Sequence, residues 1–313
     1  MRVFRGLAEV PDGFGPSAVT IGKFDGVHSG HRAVIQRLCE VAAEGGLVST
    51  VITFDRNPLE VLAPEKCPPS LVSIEQKLDL LAGTGVDATL MIAFDRELAD
   101  LAPRDFVRQI LVDRLHASAV LVGSDFRFGH RGAGDVAMLR ELGGEYGFVV
   151  HLIDDVRPEH GRRVSSTWIR ELLAQGDVAH AATLLGHVPT LRGVVVHGAK
   201  RGRELGFPTA NLSPDSEGLI PSDGVYAGWL TDGGERYPAA ISVGNNPTFE
   251  GVPQKQVEAY VLDRDLDLYD HHVEIAFVER IRGMVAYAGI DPLIAQIGDD
   301  VAQARRILAV EPA

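Results

Sequence analysis

Short runs of β-branched and other apolar residues alternate with stretches of helical period over the first 187 residues or so. Ala18 to Gly22, Leu47 to Phe54, Ala88 to Phe94, Ala119 to Gly123 and Phe148 to Ile153 read as buried strands. Between them, His31 to Ala43, Ile74 to Leu81, Pro103 to Leu115 and Asp135 to Glu145 repeat apolar residues every three or four positions, as Val34, Ile35, Leu38 and Val41 do. Ser73 followed by Gln76 offers a capping box, and Pro103 suits a first helical turn. Repeated strand-helix-strand units predict a Rossmann-like α/β domain with a doubly wound parallel sheet. The rhythm then changes. Leu191 to His197, Val225 to Leu230, Ala239 to Val243, Val257 to Leu262 and His272 to Phe277 are short strands separated by Gly, Pro, Asn and Asp, the pattern of a small antiparallel barrel or sandwich. A last helix, Pro292 to Leu308, carries the stripe Leu293, Ile294, Ile297, Val301, Ala304 and Leu308. The expected division is 1–187 and 188–313.

Composition narrows the class. The 313 residues are 45% hydrophobic and 23% charged, which excludes a disordered, collagen-like or disulfide-stapled chain. Acidic residues outnumber Lys and Arg 43 to 30, and a net charge of −13 argues against a sequence-independent grip on nucleic acid or an anionic membrane. Cys39 and Cys67 form no C-x-x-C pair. The first residues lack the apolar core of a signal peptide, and no run approaches the roughly 18 apolar residues of a membrane helix. The expectation is a cytoplasmic protein.

Two segments of the first half carry candidate chemistry. Gly22-Lys23-Phe24-Asp25-Gly26-Val27-His28-Ser29-Gly30-His31 joins the first predicted strand to the first helix, where an α/β sheet binds anions. His28 and His31, three apart, share a helical face, and Gly30 leaves room for a phosphate. The alternatives are a pair of surface histidines or a pair of zinc ligands, and for zinc they lack a third ligand at suitable spacing nearby. Arg163-Val164-Ser165-Ser166-Thr167-Trp168-Ile169-Arg170 opens another helix with hydroxyls at its N-terminus and Arg170 one turn beyond Thr167. Alone, it is ordinary helix capping. In the second half, Gly198-Ala199-Lys200-Arg201-Gly202-Arg203-Glu204-Leu205-Gly206 is a basic glycine-rich loop without the G-K-[ST] of a Walker loop, readable as a solvated connection or as a phosphate cradle. Thr209 and Asn211, two apart on an extended segment, direct oxygens to one side and suit one magnesium ion.

Together, G-x-F-D-G-x-H-x-G-H and S-S-T-x-I-R resemble the nucleotidyltransferase module of bacterial bifunctional FAD synthetases. Val122-Gly123-Ser124-Asp125-Phe126-Arg127-Phe128-Gly129 is similar to that family's third motif, and Thr53-Phe54-Asp55-Arg56-Asn57-Pro58 to a fourth, departing from T-F-D-P-H-P at Arg56 and Asn57. Lys23 stands where Asn or Val is usual. Phe207-Pro208-Thr209-Ala210-Asn211 resembles the P-T-A-N signature of riboflavin kinases, the second module of the same family. Gly224-Val225-Tyr226-Ala227-Gly228, Val243 to Phe249, Glu258 and Asp267-Leu268-Tyr269 follow in the family's order, with Asp270 where glycine is usual and Ala286-Tyr287 where Lys-Phe is common.

The resemblance implies two reactions. Riboflavin and ATP give FMN and ADP, with Glu258 as the base that takes the ribityl hydroxyl proton, Thr209 and Asn211 on Mg2+, and Gly198, Arg201 and Gly202 on nucleotide. FMN and a second ATP then give FAD and pyrophosphate. His28 and His31 are the implied catalytic residues of that step, and Gly22, Phe24, Asp25, Gly30, Arg163, Ser166, Thr167 and Arg170 bind nucleotide. Asn57, Asp125, Phe128 and Arg282 are the implied flavin-side residues. Met91, Phe106 and Trp168 read as core, not as flavin stacking partners. The expected partners are these small molecules, with flavin-dependent apoproteins as recipients. A flavin- or nucleotide-binding regulator with one or both modules inactive is the alternative.

Overall fold

The computed structural model describes residues 1–153, 161–198, 206–244 and 255–310, in two compact units, Met1–Ser165 and Ser166–Ala313. In the first, the order is β1 (Arg2–Phe4), β2 (Ser17–Ile21), α1 (Ser29–Gly45), β3 (Val48–Phe54), α2 (Pro58–Leu62), α3 (Ile74–Ala82), β4 (Ala88–Ile92), α4 (Arg96–Asp100), α5 (Pro103–Phe106), β5 (Ala117–Gly123), α6 (Val136–Tyr146) and β6 (Val149–Ile153). The strands pair in parallel in the order β1-β4-β3-β2-β5-β6. Neighbouring strand residues serve opposite faces. Ala18, Val51 and Leu121 pack with Ile35, Leu38 and Val41 of α1, while Val19, Ile52 and Val120 pack with Ile110, Leu111, Leu139 and Leu142. That two-sided burial explains why the strands read as continuous apolar runs.

Chain direction across the sheet reverses between β2 and β5, so the loops after these strands border the crevice where doubly wound sheets bind ligands. Two local differences from the sequence pattern appear. The three-residue β1 was too short to show a period, and the helix expected from Pro103 to Leu115 is α5 followed by a π-helical stretch, Val107–Val112. The wider turn still buries Val107, Ile110, Leu111 and Leu115.

The second unit begins with α7 (Ser166–Gln175) and α8 (Val178–Leu185) and continues with β7 (Thr190–Val196), β8 (Ala210–Leu212), β9 (Gly224–Asp232), β10 (Glu235–Gly244), β11 (Gln256–Val261), β12 (His272–Arg282) and α9 (Ile290–Leu308). The six strands close an antiparallel barrel in the order β10-β11-β8-β7-β12-β9. Gly233 and Gly234, both at positive φ, make the two-residue hairpin between β9 and β10 that the right-handed twist of the strands favours. Helix α9 lays Ala304 and Leu308 against Ala227 and Leu262. The compact units divide earlier than the change in strand rhythm because α7 and α8 pack with the barrel. Ser222 N–H donates to Leu173 O at 2.9 Å, and Arg280 donates to Gln175 O at 3.1 Å.

Candidate functional site

The loop after β2 turns tightly before it becomes a helix. Val27 N–H donates to Phe24 O at 3.1 Å across a turn whose third residue, Gly26, has φ +80°, the arrangement of a type II turn. Phe24 and Val27 themselves sit at φ +49° and +39°, a conformation that is costly for bulky and β-branched side chains and is sustained here by their complete burial. The turn delivers His28 to the N-cap of α1, where its Nδ1 accepts the N–H of His31 at 3.3 Å. The two imidazoles stack with centroids 3.6 Å apart. A Cβ on Gly30 would stand 3.2 Å from the His28 ring, so glycine here keeps the approach to that ring open.

Burial first, and then the Arg163 guanidinium, lowers the pKa of His28 to about 4. His31 lies well below the ordinary histidine value through burial and the nearby charges of His28, Arg163, Lys23 and Lys77. Both rings are therefore neutral at pH 7. Because Nδ1 of His28 accepts a backbone N–H, its proton sits on Nε2, which makes that atom a donor. Arg163 also pairs with Asp125, 2.8 Å away, and this contact holds the exposed Asp125 carboxyl below its usual range. One nucleotide-side and one flavin-side residue of the sequence reading thus meet directly.

The third segment of this unit leaves β3. Thr53 is buried and donates to Lys23 O at 3.1 Å, which ties the two loops through backbone and leaves the Lys23 side chain exposed. Asp25 accepts Leu71 N–H and Asp55 accepts Phe94 N–H, at 2.9 and 2.8 Å. Arg56 is exposed and pairs with its neighbour Asp55, while Asn57 caps α2 in a box with Glu60. The departure from the family's T-F-D-P-H-P thus has a local structural use. Phe128 is buried against Phe106 and Phe126, with Gly134 so close that a Cβ would meet its ring at 2.7 Å. Met91 and Phe106 are core residues, while Trp168 is half-buried and stacks edge-on with His180. In the second unit Ser166 and Thr167 occupy the first turn of α7, and Arg170 lies one turn along.

The barrel builds its site across strands. Register places Glu258 of β11 opposite Asn211 of β8, and the Thr209 hydroxyl donates to the Glu258 carboxylate at 3.4 Å. The Asn211 amide donates to Thr209 O at 3.1 Å and to its hydroxyl at 3.3 Å. Gly198 closes on the same spot, where a Cβ would lie 2.5 Å from Asn211. A cleft lined by Gly198, Thr209, Asn211, Arg264, Asp265 and Tyr269 opens beside these groups. Hydroxyl and amide oxygens with a neighbouring carboxylate are hard donors, which suits magnesium and not a softer metal. Arg201 and Gly202 lie outside the described residues, as does most of the segment from Val243 to Phe249.

Two features escaped the sequence pattern. Arg282 makes a two-point ion pair with Asp300 of α9, at 2.6 and 2.8 Å, and Asp300 is almost fully buried. Asp300 follows Leu293 by seven residues and precedes Ala304 by four, so a charged residue on the apolar stripe was its one available signal. Lys77 is likewise buried, between Ile74 and Leu78 on the stripe of α3.

Residues 12–168 match the family model described as FAD synthetase, and residues 185–308 the one described as riboflavin kinase. A bifunctional riboflavin kinase/FMN adenylyltransferase of Escherichia coli (strain K12) is 39% identical over 312 residues, 99% of each chain. A protein of the same description from Pseudomonas fluorescens is 37% identical over 309 residues, 99% of this chain and 98% of its own. A crystal structure described as a macrolide-efflux protein from Streptococcus pneumoniae shares the fold with TM-score 0.85 at 29% identity, covering 97% of this chain and 98% of the other. Among the described residues no helix is long and apolar enough to cross a membrane.

Proposed function

The chain belongs to the bifunctional riboflavin kinase/FMN adenylyltransferase family, and from that membership we propose how its residues divide the work. It converts riboflavin and ATP to FMN and ADP, and then FMN and ATP to FAD and pyrophosphate. We assign adenylylation to residues 1–187 and riboflavin phosphorylation to 188–313, a boundary that falls after α8 and near the start of the second matched region. Both reactions take place in the cytoplasm on small-molecule substrates, and FMN and FAD pass to flavin-dependent apoproteins.

In the barrel, Glu258 takes the proton from the ribityl hydroxyl as that oxygen attacks the γ-phosphorus of ATP, and ADP leaves. Thr209 and Asn211 would hold Mg2+, which would offset phosphate charge when bound with the nucleotide. Gly198, Arg201 and Gly202 bind the phosphates, and Arg282 stands on the flavin side. The meeting of Thr209 and Asn211, at β8, with Glu258 of β11 is the observation that carries this assignment. Glu258→Gln is expected to lower FMN formation at least about 100-fold while FAD formation from supplied FMN persists. Unchanged FMN formation would put the base elsewhere.

In the first unit the nucleophile is the FMN phosphate, already anionic, so no base is needed. The work is alignment of two repelling anions and stabilisation of charge on the transferring phosphorus. Neutral His28 and His31 donate hydrogen bonds to that charge. Gly22, Phe24, Asp25, Gly30 and Arg163 shape the nucleotide side and Asn57, Asp125 and Phe128 mark the flavin side, and Ser166, Thr167 and Arg170 keep the nucleotide-binding role that their motif implies. The stacked histidines at the head of α1, with cations about them, support this reading.

A further inference from the structure

Lys77 is 8% exposed, among the most buried charged side chains described. Its ammonium donates to Phe54 O at 2.7 Å, and no carboxylate among the described residues stands within ion-pair distance of it. An ammonium carries three N–H donors, and one of them is used here. Burying a charge without a counter-ion is costly, and a native fold keeps such a group only where something offsets the cost. Asp25, Asp55 and Glu60 attract it from farther away, but Asp25 and Asp55 are engaged with the backbone of Leu71 and Phe94.

The location points to the missing partner. Phe54 ends β3, the neighbour of β2 in the sheet, and the Thr53 hydroxyl fastens the β2 loop to the same edge. The charges of Lys77, Lys23 and Arg163 all act on His31, in the first turn of the helix that follows β2. We propose that Lys77 is a binding residue for the phosphate of FMN, its ammonium forming with that phosphate the ion pair the protein alone does not provide. The inference rests on the assignment of FMN adenylylation to this unit. The phosphate of FMN is favoured over those of ATP because Lys77 holds the turn that leads into Asn57, on the flavin side, whereas the histidines stand at the head of α1.

The test is steady-state FAD formation from FMN and ATP by full-length protein carrying Lys77→Met, which keeps the apolar stem and removes the charge. The KM for FMN should rise at least about tenfold, with kcat and the KM for ATP within about threefold of wild type. A retained kcat shows that the unit is folded. A second readout separates charge from packing. Burial lowers the pKa of Lys77, against the opposing pull of Asp25, Asp55 and Glu60, so kcat/KM for FMN in the wild type should fall at alkaline pH as the ammonium loses its proton. Lys77→Met should lack that decline. An unchanged KM for FMN, a change confined to ATP, or an alkaline decline identical in both proteins overturns the proposal. If Lys77→Met does not fold, the wild-type profile decides: no alkaline loss in kcat/KM for FMN overturns it. A wild type that makes FAD while the variant matches it removes only the Lys77 inference, whereas a wild type that makes no FAD removes the functional assignment beneath it.

Discussion

The two units assemble their candidate sites in different ways. In the first, the groups come from loops at the ends of parallel strands, and His28 and His31 are neighbours in sequence as well as in space. In the barrel, Thr209 and Glu258 are 49 residues apart and meet only because β8 and β11 pair in one register. A local site needs its turn to be right. A cross-strand site needs the whole sheet to be in register, since a slip of one residue would turn Glu258 to the other face. The electrostatic devices differ too. The first unit gathers cations and keeps its imidazoles uncharged, while the described barrel residues offer a carboxylate beside a hydroxyl and an amide.

The largest expected effect breaks one site and spares the other. On the role proposed for His31, His31→Ala should lower FAD formation about 100- to 1000-fold, with riboflavin phosphorylation retained, as chromatography of the flavins would report. Loss of both steps in a folded variant would contradict separate sites. Next, Asp300→Ala strands Arg282 without its partner and should destabilise the barrel unit by about 4 kcal/mol, read from its denaturant midpoint. The first unit should be little affected.

Acid sharpens the contrast from the other side. His28 in the folded unit binds a proton only near pH 4, whereas the unfolded chain binds one below about 6.5. The unfolded state thus takes up protons first, and stability of the first unit should fall by about 3 kcal/mol between pH 6.5 and pH 4, then level off with respect to this group. His28→Asn should remove this share of the slope in urea titrations across pH and leave the share of His31, which is lowered in the same direction. The smallest effect lies in the turn before β12. Asp270 sits at φ +64°, in the left-handed region, so Asp270→Gly should raise the barrel's stability by about 0.5 kcal/mol. A loss of stability would mean that the aspartate side chain matters more than the backbone strain.

Much of this was legible in the sequence because the candidate residues of the first unit lie in contiguous segments. The strand periods and the Ser73–Gln76 box act within a few residues, and each stands where local pattern put it. The barrel was harder. Strand β8 spans three residues and gives no period, although it carries Asn211, and pairing with Glu258 is a matter of register that no local pattern contains. Asp300 and Lys77 were visible as charges on apolar stripes, yet their partners, a distant arginine and a strand-end carbonyl, belong to tertiary structure. Packing also decided that α7 and α8 join the barrel's compact unit, since the contacts of Leu173 and Gln175 leave no periodic trace.

The most direct measurement gives wild type, His31→Ala and Glu258→Gln either riboflavin or FMN, with ATP and magnesium, and separates the flavins over time. Wild type should form FMN before FAD from riboflavin. His31→Ala should stop at FMN from either start, and Glu258→Gln should make FAD from FMN and nothing from riboflavin. A single substitution that halts both steps in a folded protein would contradict two separate phosphate-directed sites on one chain.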